Sequence, residues 1–313
     1  MAPGSRIRAN SVARTLSVTG DRWTQLILGH AFLGARRFGD WRSRTGIASN
    51  ILSDRLKRLI ANGCMQKVAD ARQRGRFEYR LTEKGLDLYP TALMQWWFER
   101  RWSSGGLVRT LTLTHSACGA RVHPRLVCGH CRGEIKPYEV SYREGAGAGL
   151  DPQLPPRHTR RASGEEPRSG GGQGMLGESV ELLGDRWTRL VVASAFLGMR
   201  RYDEMQREWR IATNILTDRL KRLVDTGLLQ RRLYQTGPDR YEYVLTPKGR
   251  DLYPLVLTML RWGDRWLSGK SGPPLLLRHL PCRHRLVPLL VCNQCGEELR
   301  ADTVSFSYSA ARS

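Results

Sequence analysis

Two cysteine triplets, each led by a histidine, are the most regularly spaced chemistry-bearing side chains of this sequence. The first is His115-x2-Cys118-x9-Cys128-x2-Cys131 and the second is His279-x2-Cys282-x9-Cys292-x2-Cys295. A Cys-x2-Cys on a tight turn offers two thiolates to one ion. A Cys and a His from a facing strand complete the tetrahedron that zinc takes. The flanking "RLVC" and "LLVC" read as strands, so each triplet predicts a small β zinc-ribbon-like appendage, over 107–143 and 275–307, with zinc in a structural role. The fourth ligand stays open. His123, His130 and His284 compete with His115 and His279, but only the last two occupy matching positions. Reduced thiols without metal and a redox switch are the rival readings of the same spacing. The seventh cysteine, Cys64, has Leu228 as its counterpart and reads as a small core residue.

The triplets belong to a larger duplication. At a fixed offset of 164, without gaps, residues 11–143 match 175–307 at 54 of 133 positions. "SNILSDRLKRL" (49–59) returns as "TNILTDRLKRL" (213–223), and "LTEKGLDLYP" (81–90) as "LTPKGRDLYP" (245–254). A period this long means two tandem domains rather than a solenoid. Between them, 144–174 is rich in Gly, Pro, Ser and Arg and predicts a flexible linker, spanning roughly 30 Å.

Within a copy, the elements that would position polar chemistry are readable. Asp21 predicts the N-cap of a helix through "RWTQLILGHAF", with Trp23, Leu26, Ile27 and Phe32 toward a core. "RRFGDWRSRTG" (36–46) predicts a short second helix with Phe38 and Trp41 inward. The third helix, ending near Gly63, puts Leu52, Leu56, Leu59 and Ile60 on one face. Asn50, Asp54, Lys57 and Arg58 lie opposite, with Ser53 and Arg55 on the flanks. Core packing explains retention of the leucines but not of the polar face. Asp54 with Arg58, at i and i+4, is the plain salt-bridge reading of that face. Next come a hairpin, 64–70 with 76–82, and a long helix over 83–102. The hairpin tip carries Arg72, Arg74 and Arg76; the second copy's tip, 235–240, carries only Arg240. Three helices and a hairpin form the winged helix-turn-helix order, whose third helix enters the DNA major groove and whose wing touches flanking phosphates.

Bulk properties narrow the partners. The net charge of +22 divides into +14 for 1–144, +1 for 145–174 and +7 for 175–313. A polyanion such as double-stranded DNA is the partner this implies. No apolar run reaches membrane-spanning length, and the N-terminus lacks a secretory signal, so a cytoplasmic location without membrane association is expected. No paired carboxylates, nucleophile with base or phosphate-binding Gly loop recurs in both copies, which argues against an enzyme.

The ordered series "GDRWTQLIL", "RRFGDWRSRTGIASNILSDRLKRLIANG", "FEYRLTEKG" and "LYP", with its second-copy counterparts, resembles the HxlR-type winged-helix transcriptional regulators over 12–102 and 176–266. The resemblance implies a mainly α fold with small β wings and promoter binding as a dimer. Here it implies winged-helix domains at 11–102 and 175–266, recognition helices at 49–60 and 213–224, and wings at 70–77 and 234–241. The DNA-contacting residues become Asn50, Ser53, Asp54, Lys57, Arg58, Arg72, Arg74 and Arg76, then Asn214, Thr217, Asp218, Lys221, Arg222 and Arg240. Many relatives have a sensing cysteine before the first helix; "ANSVARTL" and "GQGMLGESV" have none. The duplication suggests an intramolecular pseudo-dimer, or a homo-oligomer, with heads on a tether comparable to the spacing of half-sites one turn apart, about 34–36 Å. The alternative is a protein-interaction or redox- or effector-responsive scaffold, in which the cysteine ribbons recruit a partner. The sequence names no effector.

Overall fold

The computed structural model describes residues 6–70, 75–102, 107–152 and 185–308. After a short strand β1 (Arg6–Arg8), the first copy runs through α1 (Ser11–Thr19), α2 (Arg22–Phe32), α3 (Phe38–Thr45) and α4 (Ser49–Ala61). Then come the hairpin β2 (Met65–Ala69) and β3 (Phe77–Leu81), α5 (Glu83–Leu86), α6 (Tyr89–Trp102) and α7 (Leu107–Thr110). The caps explain the boundaries. Asp21 accepts from the Thr24 N–H at the start of α2, and Gly46 takes the left-handed conformation (φ +66°) that ends α3. The helix expected over 83–102 is broken at 87–88, because Pro90 has no N–H to give the Leu86 carbonyl. The α1 helix was not anticipated. Its inward residues are Ser11, Thr15, Leu16 and Thr19, mostly polar, so no apolar stripe announces it.

Among the described residues, the second copy repeats the order from α2 to α6 as α8 (Arg186–Phe196), α9 (Tyr202–Trp209), α10 (Thr213–Asp225), β8 (Leu229–Gln235), β9 (Arg240–Leu245), α11 (Pro247–Asp251) and α12 (Tyr253–Leu267). Leu52, Leu56 and Leu59 are buried, and so are Leu216, Leu220 and Leu223. Cys64 and Leu228 occupy equivalent buried positions, as expected of a core residue.

The remaining strands are β4 (Leu111–His115), β5 (Pro124–Cys128), β6 (Val140–Glu144), β7 (Leu150–Pro152), β10 (Leu275–His279), β11 (Pro288–Cys292) and β12 (Val304–Tyr308). The small β appendages expected after each winged helix are present, and their strands pair with each other across the copies. β4 pairs with β12, β6 with β10 and β5 with β11, all antiparallel and all between copies. Within a copy, isolated bridges such as Val127 with Glu134 only close the turns. In the β5–β11 register Leu126 faces Leu290, the same residue of the two copies, so a local two-fold axis passes between them.

The helices interlock in the same sense. α1 of the first copy lies on α12 of the second, where Thr15 Oγ1 donates to the Met259 carbonyl at 2.8 Å and Ser11 Oγ to Asp264 Oδ1 at 2.5 Å. Gly263 permits this approach, since a Cβ there would meet the Ser11 carbonyl oxygen at 2.3 Å. The indoles of Trp102 and Trp266 donate to Asp251 and Asp87 of the opposite copies, each at 2.8 Å. The two copies are therefore joined by packed elements, and the tether does not set their arrangement. The expected linker also starts later than residue 144. Gly145 and Gly147 donate to the Pro274 and Pro273 carbonyls, and β7 pairs with β1. Residues 153–174 lie outside the described residues.

Candidate nucleic-acid interface and metal centres

The leucine face of α4 turns into the core and leaves Asn50, Asp54, Lys57 and Arg58 exposed, with Ser53 half-buried. On α10, Asn214, Thr217, Asp218, Lys221 and Arg222 are exposed. The two proposed faces thus reach solvent as the 3.6-residue period requires. Asp54 bonds its neighbour Arg55 closely, and Arg58 only grazes it at 4.0 Å, so the i,i+4 pair is the weaker contact. Asp218 bonds Arg219 in the same way.

Arg55 was placed on a flank by periodicity, but it anchors the helix. Its Nε donates to Asp21 Oδ1 at 2.8 Å, and Arg219 Nε donates to Asp185 Oδ2 at 2.7 Å. Burial works to raise the Asp21 carboxyl. Hydrogen bonds from Thr24 and Arg55, with the Arg55 charge, outweigh burial and hold it below the usual carboxylate value. Asp185 is held down by the equivalent contacts of Arg219 and Thr188 against its burial. The recurring separation of 34 residues between Asp and Arg was the available signal. In the second copy Tyr202 adds a bond to the Thr213 carbonyl at 2.8 Å, and Thr217 Oγ1 donates to the same carbonyl at 2.9 Å.

Of the wing arginines, Arg76 and Arg240 are exposed at the start of or just before the returning strands. Arg72 and Arg74 lie outside the described residues. The second hairpin carries two further arginines that tip-reading overlooked. Arg232 bonds Glu242 and Arg231 stacks on Tyr241 at 3.9 Å.

The eight metal-ligand candidates converge, but not in the groups that spacing within a copy suggested. One quartet is His115, Cys118, Cys292 and Cys295; the other is Cys128, Cys131, His279 and Cys282. Antiparallel β5–β11 pairing, with β4 beside β12 and β6 beside β10, carries each Cys-x2-Cys to the His-x2-Cys of the other copy. His115 Nδ1 lies 3.5 Å from Cys118 Sγ and 3.3 Å from Cys295 Sγ, and Cys118 Sγ is 3.8 Å from Cys292 Sγ. In the second quartet His279 Nδ1 is 3.4 Å from both Cys131 and Cys282, and Cys128 Sγ is 3.9 Å from Cys282 Sγ. The competing histidines stand outside the quartets, although ring nitrogens of His130 and His284 lie within 4.8 Å of the Cys282 sulfur. His123 packs edge-on to Trp97, while His130 stacks on His284, whose Nδ1 sits 2.7 Å from the Cys282 carbonyl oxygen.

All four ligand pairs sit on one kind of turn. Gly119, Arg132, Arg283 and Gly296, each directly after the second ligand of a pair, have φ between +60° and +75°. Each donates its N–H to the carbonyl of the first ligand: His115, Cys128, His279 and Cys292, at 2.7–2.9 Å. Burial raises the Cys128 thiol, but the N–H groups of Cys131 and His130 aim at its sulfur and, with the neighbouring thiols, hold it below its usual value. Cys292 is lowered against its burial in the same way, by Cys295, Gln294 and the thiols around it. The backbone N–H groups of these two turns thus favour thiolate, the form that binds metal, at Cys128 and Cys292. At Cys282 and Cys295 the backbone N–H of His284 or Glu297 is outweighed by burial and the neighbouring thiols, which raise them.

With that geometry established, comparison with known proteins identifies the frame. A family model described as HxlR-like helix-turn-helix matches residues 18–104 and again 182–271. The chain belongs to the HxlR-like helix-turn-helix family. An uncharacterized HTH-type transcriptional regulator of Mycobacterium tuberculosis is 42% identical over 130 residues, which make up 42% of this chain and 82% of that protein. One from Synechocystis is 36% identical over 93 residues, 29% of this chain and 69% of its own. Among solved structures, the redox regulator HypR in its oxidized form is 32% identical, with a TM-score of 0.26 over 28% of this chain and 91% of that one. The Mycobacterium match, 130 residues, is about as long as one copy of the duplication, of which this chain carries two. No helix among the described residues is long and apolar enough to cross a membrane.

Proposed function

We propose that the chain is a transcriptional regulator that binds double-stranded DNA through two winged-helix heads, α4 and α10 each entering a major groove and the wings lying on flanking phosphates. The observation that carries this reading is the division of labour on both helices. Leucines and a buried-side Arg–Asp tie fix each helix, while Asn50, Asp54, Lys57 and Arg58, and Asn214, Asp218, Lys221 and Arg222, are left facing solvent. Lysine and arginine there suit phosphate or guanine, and asparagine suits adenine. Asp54 and Asp218 orient Arg55 and Arg219. A metal ion in the Cys and His clusters is the structural cofactor of this reading. One chain then does the work of a dimer, with the two heads held by the strands and helices they share.

The test uses the full chain on a cognate promoter duplex selected from genomic DNA by pull-down, with footprinting and fluorescence anisotropy across a salt series. Lys57→Ala and Lys221→Ala are each expected to weaken binding and to reduce the salt slope by about 1. Footprints and slopes unchanged in both variants would refute the placement of α4 and α10 in the groove.

A further inference from the structure

We infer that the chain holds two zinc ions, each bound by both copies: one by His115, Cys118, Cys292 and Cys295, the other by Cys128, Cys131, His279 and Cys282. Zinc with Zn–S bonds of about 2.3 Å and Zn–N bonds of about 2.0–2.1 Å has tetrahedral edges of about 3.8 Å between sulfurs and about 3.5 Å between nitrogen and sulfur. One sulfur–sulfur edge of each quartet measures 3.8 or 3.9 Å, two Nδ1–sulfur edges of each run from 3.3 to 3.5 Å, and all four ligand atoms lie within 4.8 Å of one another. A disulfide needs about 2.05 Å, so these sulfurs surround a common centre instead of bonding one another.

The donors are built for this. Each quartet sits on two of the four like turns, and in each it is the histidine's Nδ1 that faces the sulfurs. The other ring nitrogen, Nε2 of His115 and of His279, is buried without a hydrogen-bond partner among the described residues. Three thiols and one imidazole select zinc over calcium or magnesium, which take oxygen ligands. Loading one site releases three thiol protons to solvent and leaves a centre of net charge −1. No oxidant or reductant takes part.

What this adds is the route of the ligation. Each ion is a staple between the copies, placed on the same sheets that carry the local two-fold axis. Zinc therefore fixes one winged-helix head relative to the other, and it does so whether or not DNA is bound.

Metal content of the reduced, chelator-stripped and zinc-reloaded full chain tests this directly. The intact protein is expected to hold two zinc ions per chain. The variant C118S/C295S removes two ligands of one crossed site and should keep one ion; C118S/C131S damages both sites and should keep none. Ligation within each copy gives the reverse order and would overturn the crossed sites. An intact chain that binds no zinc, or whose thiols form disulfides instead, would overturn the metal itself. A second measurement needs no variant. Wild-type chain given one equivalent of zinc is alkylated and read by intact mass spectrometry with fragmentation. Crossed ligation protects Cys118 with Cys295, or Cys131 with Cys282, on the same molecule. Protection of Cys118 with Cys131, or of Cys282 with Cys295, refutes it.

Discussion

Arg55 Nε donates to Asp21 Oδ1 at 2.8 Å, tying the middle of α4 to the N-cap of α2. This bond fixes the tilt of α4 from behind, and Arg219 with Asp185 does the same for α10. A double-mutant cycle of Arg55→Ala and Asp21→Ala should give a coupling of about 1–2 kcal/mol in chemical denaturation. Asp21→Ala should cost more than Arg55→Ala, because it also removes the cap. The Asp21 carboxyl is held below its unfolded value, so its share of stability is full above that value and is lost as pH falls through the folded one. Additive single effects would show that the bond does not couple the helices.

The interlocked copies should survive cutting. Replacing part of 153–174 with a protease site and cleaving it should yield two fragments that co-elute at the mass of the whole chain. Three inter-copy strand pairs and the α1–α12 contact hold them. Separate elution of the fragments in zinc buffer would contradict the shared sheets. By the same reasoning, an isolated first half is a poor vehicle for comparing the two heads, since its β4, β5 and β6 lack partners.

Trp102 and Trp266 should report the helical part of the same interface. Phe at either position removes the indole donor to Asp251 or Asp87, together with the contacts of one of the two fused rings. Each substitution should lower stability by about 1–2 kcal/mol, as for a hydrogen bond to a charged group. No change in the denaturation midpoint for both would exclude a stabilising role for these bonds.

Arg132 and Arg283 occupy a conformation that Gly119 and Gly296 fill at the corresponding turns. A non-glycine residue there costs about 1–2 kcal/mol, partly offset by the lower chain entropy of the unfolded state. Arg132→Gly and Arg283→Gly should each be neutral to stabilising by up to about 1 kcal/mol. Gly119→Ala and Gly296→Ala should destabilise. Thermal unfolding at fixed free zinc separates these outcomes, and a loss on introducing glycine would show that the arginine side chains contribute more than their backbone costs.

His30 is buried, and its burial, with the nearby Arg44 charge, pushes its pKa down to about 4. The unfolded chain therefore takes up the proton first as pH falls from about 6.5. His30 contributes stability that is full above about 6.5 and is lost toward pH 4, by about 2 kcal/mol between pH 7 and pH 4.5. In His30→Gln this share of the pH dependence should vanish. The readout is the wild-type minus variant stability at the two pH values, in which other titrating groups cancel. A difference independent of pH would exclude the histidine.

Local signals were legible wherever neighbours in sequence decide the structure. Asp21, Gly46 and Gly63 marked helix ends, the period of 3.6 separated Leu52, Leu56 and Leu59 from Asn50, Lys57 and Arg58, and alternation marked the hairpins. The ligands too were visible as types and spacings. Their grouping was not, because both copies carry identical spacing, so pairing within and between copies leaves the same trace. That choice is made by long-range strand pairing, with Leu126 opposite Leu290. The α1 helix escaped notice because its buried face is largely polar: Thr15 meets the Met259 carbonyl and Ser11 the Asp264 carboxylate of α12, while Thr19 bonds back to the Thr15 carbonyl, so hydroxyls rather than an apolar stripe line it. Arg55 was missed for a related reason: its partner is 34 residues away, and periodicity ranks a residue only by its angle around the helix.

The two-fold axis between Leu126 and Leu290 relates halves that are encoded separately. In an assembly of identical subunits every substitution is written twice, and both sides of the axis must tolerate it. On a single chain one side can drift while the other is held. The traces are already present: Phe38 against Tyr202, His30 against Ser194, and a tip reading "ARQRG" against one reading "QTGPD". Such a molecule can evolve toward targets whose halves differ, a freedom that symmetric pairs of like chains lack.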